Sequence, residues 1–147
     1  MAGVQRTANV TWQGDLVGGS GKIESVGSGA ISGLDVTWAS RSEESTSGRT
    51  SPEELIAAAH ASCCSMALSH GLAQAGNPPD RLNVKATSTF VPGTGLTTMA
   101  LDVTGRVPGI DEDGFRAAAE EAKQNCPVSK ALAGNVELTL DARLEGS

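Results

Sequence analysis

Residues 51–79 read SPEELIAAAHASCCSMALSHGLAQAGNPP, and the pattern of this stretch decides the architecture. Ser51 is a cap residue, Pro52 suits the first helical position, and Glu54 stands three residues after Ser51, the signature of a helix start. Gly76 followed by Pro78-Pro79 is a stop signal, so the spacing predicts one helix from Pro52 to about Ala75. Leu55, Ile56, Ala59, Cys63, Cys64, Met66 and Leu68 put apolar groups on nearly every side of it. A helix without a polar face belongs inside a structure, so a long buried central helix is expected, with a large cover to match.

Working outward towards the N-terminus, Val10 and Trp12 alternate with polar neighbours, Lys22 to Val26 is a second strand, and Leu34, Val36 and Trp38 form a third. Glycines punctuate these runs, which predicts an antiparallel meander. Arg41 to Thr50 is polar and Ser-rich and reads as an exposed loop. Towards the C-terminus, Leu82, Val84, Ala86 and Phe90 alternate, and so do Met99, Leu101, Val103 and Val107. Pro92-Gly93-Thr94-Gly95 lies between them, so this is a hairpin. Asp111 to Gln124 carries acids early and Phe115, Ala118, Ala119 and Ala122 at helical spacing, and Val136, Leu138, Leu140 and Ala142 form a last strand. The order is βββ, α, ββ, α, β, an α+β class, with no repeat and no linker, so residues 1–147 are expected to form a single domain.

The composition narrows the function classes. Hydrophobic residues make up 39% of the chain and charged residues 19%, with no run of eighteen apolar residues, which fits neither a disordered nor a membrane-spanning chain. Eleven basic against seventeen acidic residues leave a net charge of −6, the wrong sign for neutralising phosphates, so no nucleic-acid partner is expected. Aromatic side chains at 3% offer few stacking platforms. The start, Met1-Ala2-Gly3-Val4-Gln5-Arg6, lacks the basic and apolar regions of a secretory signal, so the cytoplasm is the expected location. Three cysteines is an odd count, unlike a disulfide-stapled secreted domain.

Those cysteines have different local settings. Cys63 lies eleven residues past Pro52, about 16 Å along the helix, too far for the helix dipole to help ionise it. A reactive Cys63 therefore needs a cation brought from elsewhere, and Arg41 and Arg49 are the nearby candidates; otherwise Cys63 is a small hydrophobe in a packed helix. Cys126 precedes Pro127 at the break between one helix and a short second one, where a helix start favours a thiolate, or where the residue is simply a cap. Cys64 projects about 100° from Cys63 and reads as packing. His60, Cys63 and Cys64 have the spacing of a soft-metal site, with Cys126 as a fourth ligand. Without a CxxC or HExxH arrangement, a satisfied helix histidine is the stronger reading, and neither metal nor cofactor is expected.

The string Thr50-Ser51-Pro52-Glu53-Glu54-Leu55-Ile56-Ala57-Ala58-Ala59-His60-Ala61-Ser62-Cys63, with Ser65-Met66-Ala67-Leu68 after it, closely resembles the active-site helix of the OsmC/Ohr family, and its OsmC branch in particular. The resemblance extends to Cys126-Pro127-Val128-Ser129-Lys130-Ala131-Leu132, to Val107-Pro108-Gly109-Ile110-Asp111 and to Trp12-Gln13-Gly14-Asp15, and covers most of the chain. It implies an intertwined homodimer of β(3)-α-β(2)-α-β subunits, in accord with the element order read from periodicity. It also implies a thiol-dependent peroxidase for organic hydroperoxides, and in some members hydrogen peroxide, with Cys63 as peroxidatic and Cys126 as resolving cysteine. Glu53 matches the family glutamate and Arg41 its arginine, with Arg49 next in line. A small dithiol or a lipoylated protein would recycle the enzyme, and no membrane is involved. The alternatives from other classes are a thiol redox sensor without turnover and a small-ligand-binding stress protein.

Overall fold

A computed structural model describes residues 2–146. The chain divides into two compact units, the first ending at Pro52 and the second beginning at Glu53.

In the first unit, β1 (Ala8–Gln13), β2 (Ser20–Val26) and β3 (Ser32–Val36) form the expected antiparallel meander in the order β1-β2-β3. It is a thin element. Every residue of β1 is exposed, and Ile23 on β2 is its buried apolar side chain. Trp38 does not extend the third strand, contrary to the alternation Leu34, Val36, Trp38; it opens a short helix, α1 (Trp38–Ser42). The cause is local. The Thr37 hydroxyl accepts from the Ser40 amide and the Ser40 hydroxyl accepts from the Thr37 amide, both at 3.0 Å, a reciprocal cap that turns the backbone out of the strand. Arg41 thus sits in the last turn of α1 and not at the start of a loop. The polar segment that follows is exposed, and it is tied down at its end, where the Ser40 hydroxyl donates to the Thr50 carbonyl at 2.9 Å.

The second unit is built on α2 (Pro52–Gln74), β4 (Arg81–Val91), β5 (Gly95–Arg106), α3 (Glu112–Asn125), α4 (Pro127–Leu132) and β6 (Glu137–Leu144). Helix α2 begins at Pro52 and ends as the sequence predicts. Gly76 takes φ +88°, its amide donates to Ala73, and the Asn77 amide donates to Leu72 at 2.8 Å, the paired bonds of a left-handed helix end that glycine adopts without strain. β4 and β5 form the hairpin, and β6 joins the free edge of β5 in parallel, which requires the crossover that α3 and α4 supply.

The core lies between the sheet and the helices. Leu68 and Leu72 of α2, Val103 of β5, and Phe115, Ala119 and Ala122 of α3 are all buried in one cluster. Gly105 of β5 lets Phe115 approach: a Cβ there would stand 2.7 Å from the ring. Asp111 caps α3 by accepting from the Gly114 amide at 2.7 Å. Helix α2 buries a single stripe against this core, His60, Cys64, Leu68 and Leu72, with Glu53 at its start. An 18-residue window of α2 has a mean hydropathy of 1.3, apolar enough to cross a membrane by length and composition, yet only 22% of that window is buried within the chain. Met66 on the other side is 69% exposed. The second unit by itself therefore supplies only part of the cover that the sequence demands for this helix.

Candidate functional site

Two of the predicted site residues meet. Cys63 faces the sheet side of α2 and is half-buried; Cys126 ends α3 and starts α4, and is fully buried. The two cysteines pack together in one cluster with Cys64 and Leu101, and both are free thiols. The sequence places them together through two local devices. Pro127 forces α3 to stop and a new helix to begin, which turns Cys126 into the cap residue of α4. The four-residue spacing of His60, Cys64, Leu68 and Leu72 locks α2 onto the core, and Cys63 is carried to the rim of that stripe.

The start of α4 surrounds the sulfurs with donors. The Val128 amide faces Cys63, and the Ser129 amide, the Ser129 hydroxyl and the Val128 amide face Cys126. Burial pushes the Cys126 thiol up, but these donors together with the Cys63 thiol outweigh it and hold Cys126 below the ordinary cysteine range. Cys63 goes the other way: burial raises it, the Val128 amide offsets part of that, and Cys126 raises it further. Within this unit the surroundings favour a thiolate on Cys126 over one on Cys63. Cys64, packed with Leu101 and Cys126, is pushed up to about 11 by burial and then by its two sulfur neighbours, which fits a packing residue and not a nucleophile.

The sequence reading missed one group. His60 is fully buried and its Nε2 lies 2.7 Å from the Ser129 hydroxyl, so the histidine faces the serine beside Cys126. Burial lowers its pKa and keeps the ring neutral. Among the described residues no group of three His, Cys, Asp or Glu is arranged to hold a metal ion. No local signal points to the pair, because its two members lie 69 positions apart.

Of the other two predicted residues, Glu53 lies away from the sulfurs along α2 and Arg41 belongs to the first unit. Glu53 is buried in the first turn of α2, where its carboxylate meets the positive end of the helix, and its carbonyl accepts from the Ser88 hydroxyl of β4 at 2.9 Å. Ten residues separate it from Cys63 on the same helix, about 15 Å. Arg41 belongs to the first unit, in the last turn of α1. A groove of 730 Å³ between α2 and α3 is lined by residues including Ala67, His70, Ile110, Ala118 and Asn125, and neither Cys63 nor Cys126 lines it.

Comparison with known proteins bears on this arrangement. The profile of the OsmC-like protein family matches residues 44–141. Peroxiredoxin OsmC of Escherichia coli (strain K12) is 37% identical over 145 residues, 97% of this chain and 98% of that protein. The organic hydroperoxide resistance protein of Xanthomonas axonopodis pv. citri is 29% identical over 97 residues, 62% of this chain and 65% of its own. Among solved structures, an organic hydroperoxide resistance protein from Elizabethkingia anophelis shares the fold with a TM-score of 0.70 at 23% identity, covering 98% of this chain and 99% of that one.

Proposed function

The chain belongs to the OsmC-like protein family, and from that membership we propose that it is a peroxidase that reduces organic hydroperoxides to alcohols through Cys63 and Cys126. The observation that carries the reading is the packing of these two cysteines, 63 residues apart in the chain, in one buried cluster. The Cys63 thiolate attacks the distal oxygen of the hydroperoxide, the O–O bond breaks, and the alkoxide leaves and takes up a proton. Cys63 is then a sulfenic acid. Cys126 attacks its sulfur, hydroxide leaves as water, and a disulfide closes before further oxidation of Cys63. An external dithiol, either a small molecule or a lipoylated protein, returns both thiols. The cycle is sulfur chemistry throughout and calls on no cofactor.

Ionising Cys63 for attack needs a cation, because its own surroundings favour the thiol. We assign that cation to Arg41, with Arg49 as the next candidate, and Glu53 to fixing the guanidinium by a bidentate pair. Glu53 cannot reach the Cys63 of its own straight helix, so one site draws groups from two chains, and we infer an intertwined homodimer. The apolar side of α2 that the second unit leaves uncovered supports this, since a second copy supplies the missing cover. Maintaining free thiols requires a reducing compartment, and we place the protein in the cytoplasm.

The test is consumption of cumene hydroperoxide with a dithiol, comparing the parent with Cys63→Ser and Cys126→Ser. Turnover is expected to vanish in both. Cys126→Ser still shows one rapid oxidation of Cys63, and the oxidised parent loses one pair of hydrogens, mapping to Cys63 and Cys126 by mass. Reversible oxidation of the pair with no consumption by any dithiol would make the protein a redox sensor. Sustained cycling of Cys126→Ser would remove its resolving role.

A further inference from the structure

His60 has one ring nitrogen engaged and one sealed. Nε2 meets the Ser129 hydroxyl at 2.7 Å, whereas Nδ1 is buried with no hydrogen-bond partner among the described residues. That asymmetry fixes the proton. An imidazolium would bury an unpaired N–H, and so would the neutral ring protonated on Nδ1; a bare Nδ1 lone pair is the smaller penalty, since orphaned buried N–H groups are rarer than unsatisfied acceptors. The neutral ring therefore carries its hydrogen on Nε2 and donates it to Ser129. With its oxygen accepting from His60, the single hydroxyl proton of Ser129 is left to point elsewhere; Ser129 stands in the first turn of α4, which Cys126 caps, and its hydroxyl is one of the groups that favour the Cys126 thiolate.

We propose that His60 and Ser129 are positioning residues for the second thiol: a one-way hydrogen-bond chain, His60 Nε2–H to Ser129 Oγ and Ser129 Oγ–H to Cys126 Sγ, presents Cys126 as the attacking sulfur when the disulfide closes. The proposal rests on the assignment of Cys63 and Cys126 made above and gives their second step its own machinery. In that step an electron pair of the Cys126 thiolate forms the S–S bond, the S–O bond of the Cys63 sulfenic acid breaks, and hydroxide departs and becomes water with a proton from solvent. The Ser129 and His60 hydrogens stay where they are. The chain is directional because neither residue can reverse its role: His60 would need to expose a buried N–H to do so. The Ser129 hydroxyl acts on the sulfur together with the Val128 and Ser129 amides and the Cys63 thiol. The titratable groups facing Cys126 are Cys63 and Cys64 from α2, and the strands packed against it present Leu101, Val84, Ala86 and Leu140.

The chain also separates the two chemical steps. A donor aimed at Cys126 does nothing for attack on the peroxide by Cys63, and by drawing negative charge onto Cys126 it weakly opposes it. Loss of the donor is expected to leave the first step as fast as before, or faster, and to slow the second.

The experiment has two arms. In the first, thiolate absorbance is titrated in the Cys63→Ser protein, where the lower transition belongs to Cys126 because Cys64 ionises only near about 11. Adding Ser129→Ala is expected to move that transition to higher pH, His60→Phe to move it the same way, and Ser129→Thr, which keeps the hydroxyl, to restore it. In the second arm, single turnovers with cumene hydroperoxide separate sulfenic acid, trapped by dimedone, from disulfide, read by mass. Ser129→Ala is expected to form sulfenic acid at the parental rate or above and to close the disulfide roughly ten- to hundredfold more slowly, the span of one hydrogen bond to a charged group. An unmoved transition, unchanged closure in Ser129→Ala, or Ser129→Thr no better than Ser129→Ala would overturn the chain and leave Ser129 a packing residue. If the parent forms no sulfenic acid, the peroxidase reading fails by itself, and the titration arm still decides whether the chain exists.

Discussion

The two sheets of this protein have three strands each and are opposite in character. In the second unit, Met99, Leu101 and Val103 of the central strand are essentially inaccessible, covered by helices on one face. In the first unit, Val10 is 54% exposed and Trp12 and Leu34 are also open, although their strands alternate as cleanly as those of the second. Alternation predicts which face of a strand is apolar; it does not say whether the same chain will cover that face. The second sheet makes a core, and the first presents an apolar surface, as does the side of α2 that carries Met66. Each unit, taken by itself, leaves an apolar surface open, which an intertwined second copy would explain.

The largest test of this contrast is Phe115→Ala. The ring is fully buried and sits over Gly105, so its removal should cost about 3–5 kcal/mol, read as a lower urea midpoint at an unchanged slope. A loss below about 1 kcal/mol would show that the second unit is not organised around this side chain. Gly105→Ala approaches the same contact from the strand. A methyl group 2.7 Å from the ring overpacks the core and should cost about 1–3 kcal/mol, and the double variant with Phe115→Ala should recover part of that loss.

Val10→Ala and Leu34→Ala probe the first sheet. If their side chains face only water, each change stays within about 0.5 kcal/mol. With a second copy covering them, each should cost about 1–2 kcal/mol, and the unfolding midpoint should rise with protein concentration in the parent and less in the variants. Midpoints independent of concentration in all three proteins would break the dimer proposal at its structural root.

The same contrast marks how far the sequence could be read. Strand and helix periods, the Ser51-Pro52 start, the Gly76 stop and the Pro127 break are local signals, and the structure carries each one out within a residue or two. Trp38 was misplaced because alternation outweighed the Thr37 to Ser40 cap, which is equally local and favours a turn. The parallel seating of β6 on β5 depends on which edge the crossover reaches, information that no single strand contains. At the site, local signals singled out Cys126, because a thiol beside a helix break is unusual; Cys63, in the middle of α2, was joined to it only by the family resemblance. The partnership of His60 with Ser129 was not legible, since it joins two residues 69 positions apart whose spacings each suggest something else.

The smallest expected effect is also the most selective, because the two units bury titratable groups differently. The ion pair of the first unit, Lys22 with Asp35 at 2.8 Å, is exposed; Asp35 is held below its usual range by the hydrogen bond and charge of Lys22, and whatever it contributes fades only as pH falls below 3.8 and is weakened by salt. His60 of the second unit is sealed and neutral, with its pKa lowered by burial. The unfolded chain takes up a proton on this residue near 6.5 while the folded one does not, so stability is full above that pH and declines as pH drops from 6.5 towards the lower folded value. The acid loss that His60 contributes below 6.5 therefore belongs to the second unit. Urea midpoints compared at pH 8 and pH 5 should show a smaller fall for His60→Gln than for the parent, whereas Asp35→Asn should leave the fall unchanged and alter only its salt dependence at lower pH. Equal falls for His60→Gln and the parent would mean that His60 is charged inside the fold, which would also put a second hydrogen on the ring and undo the direction assigned to its bond with Ser129.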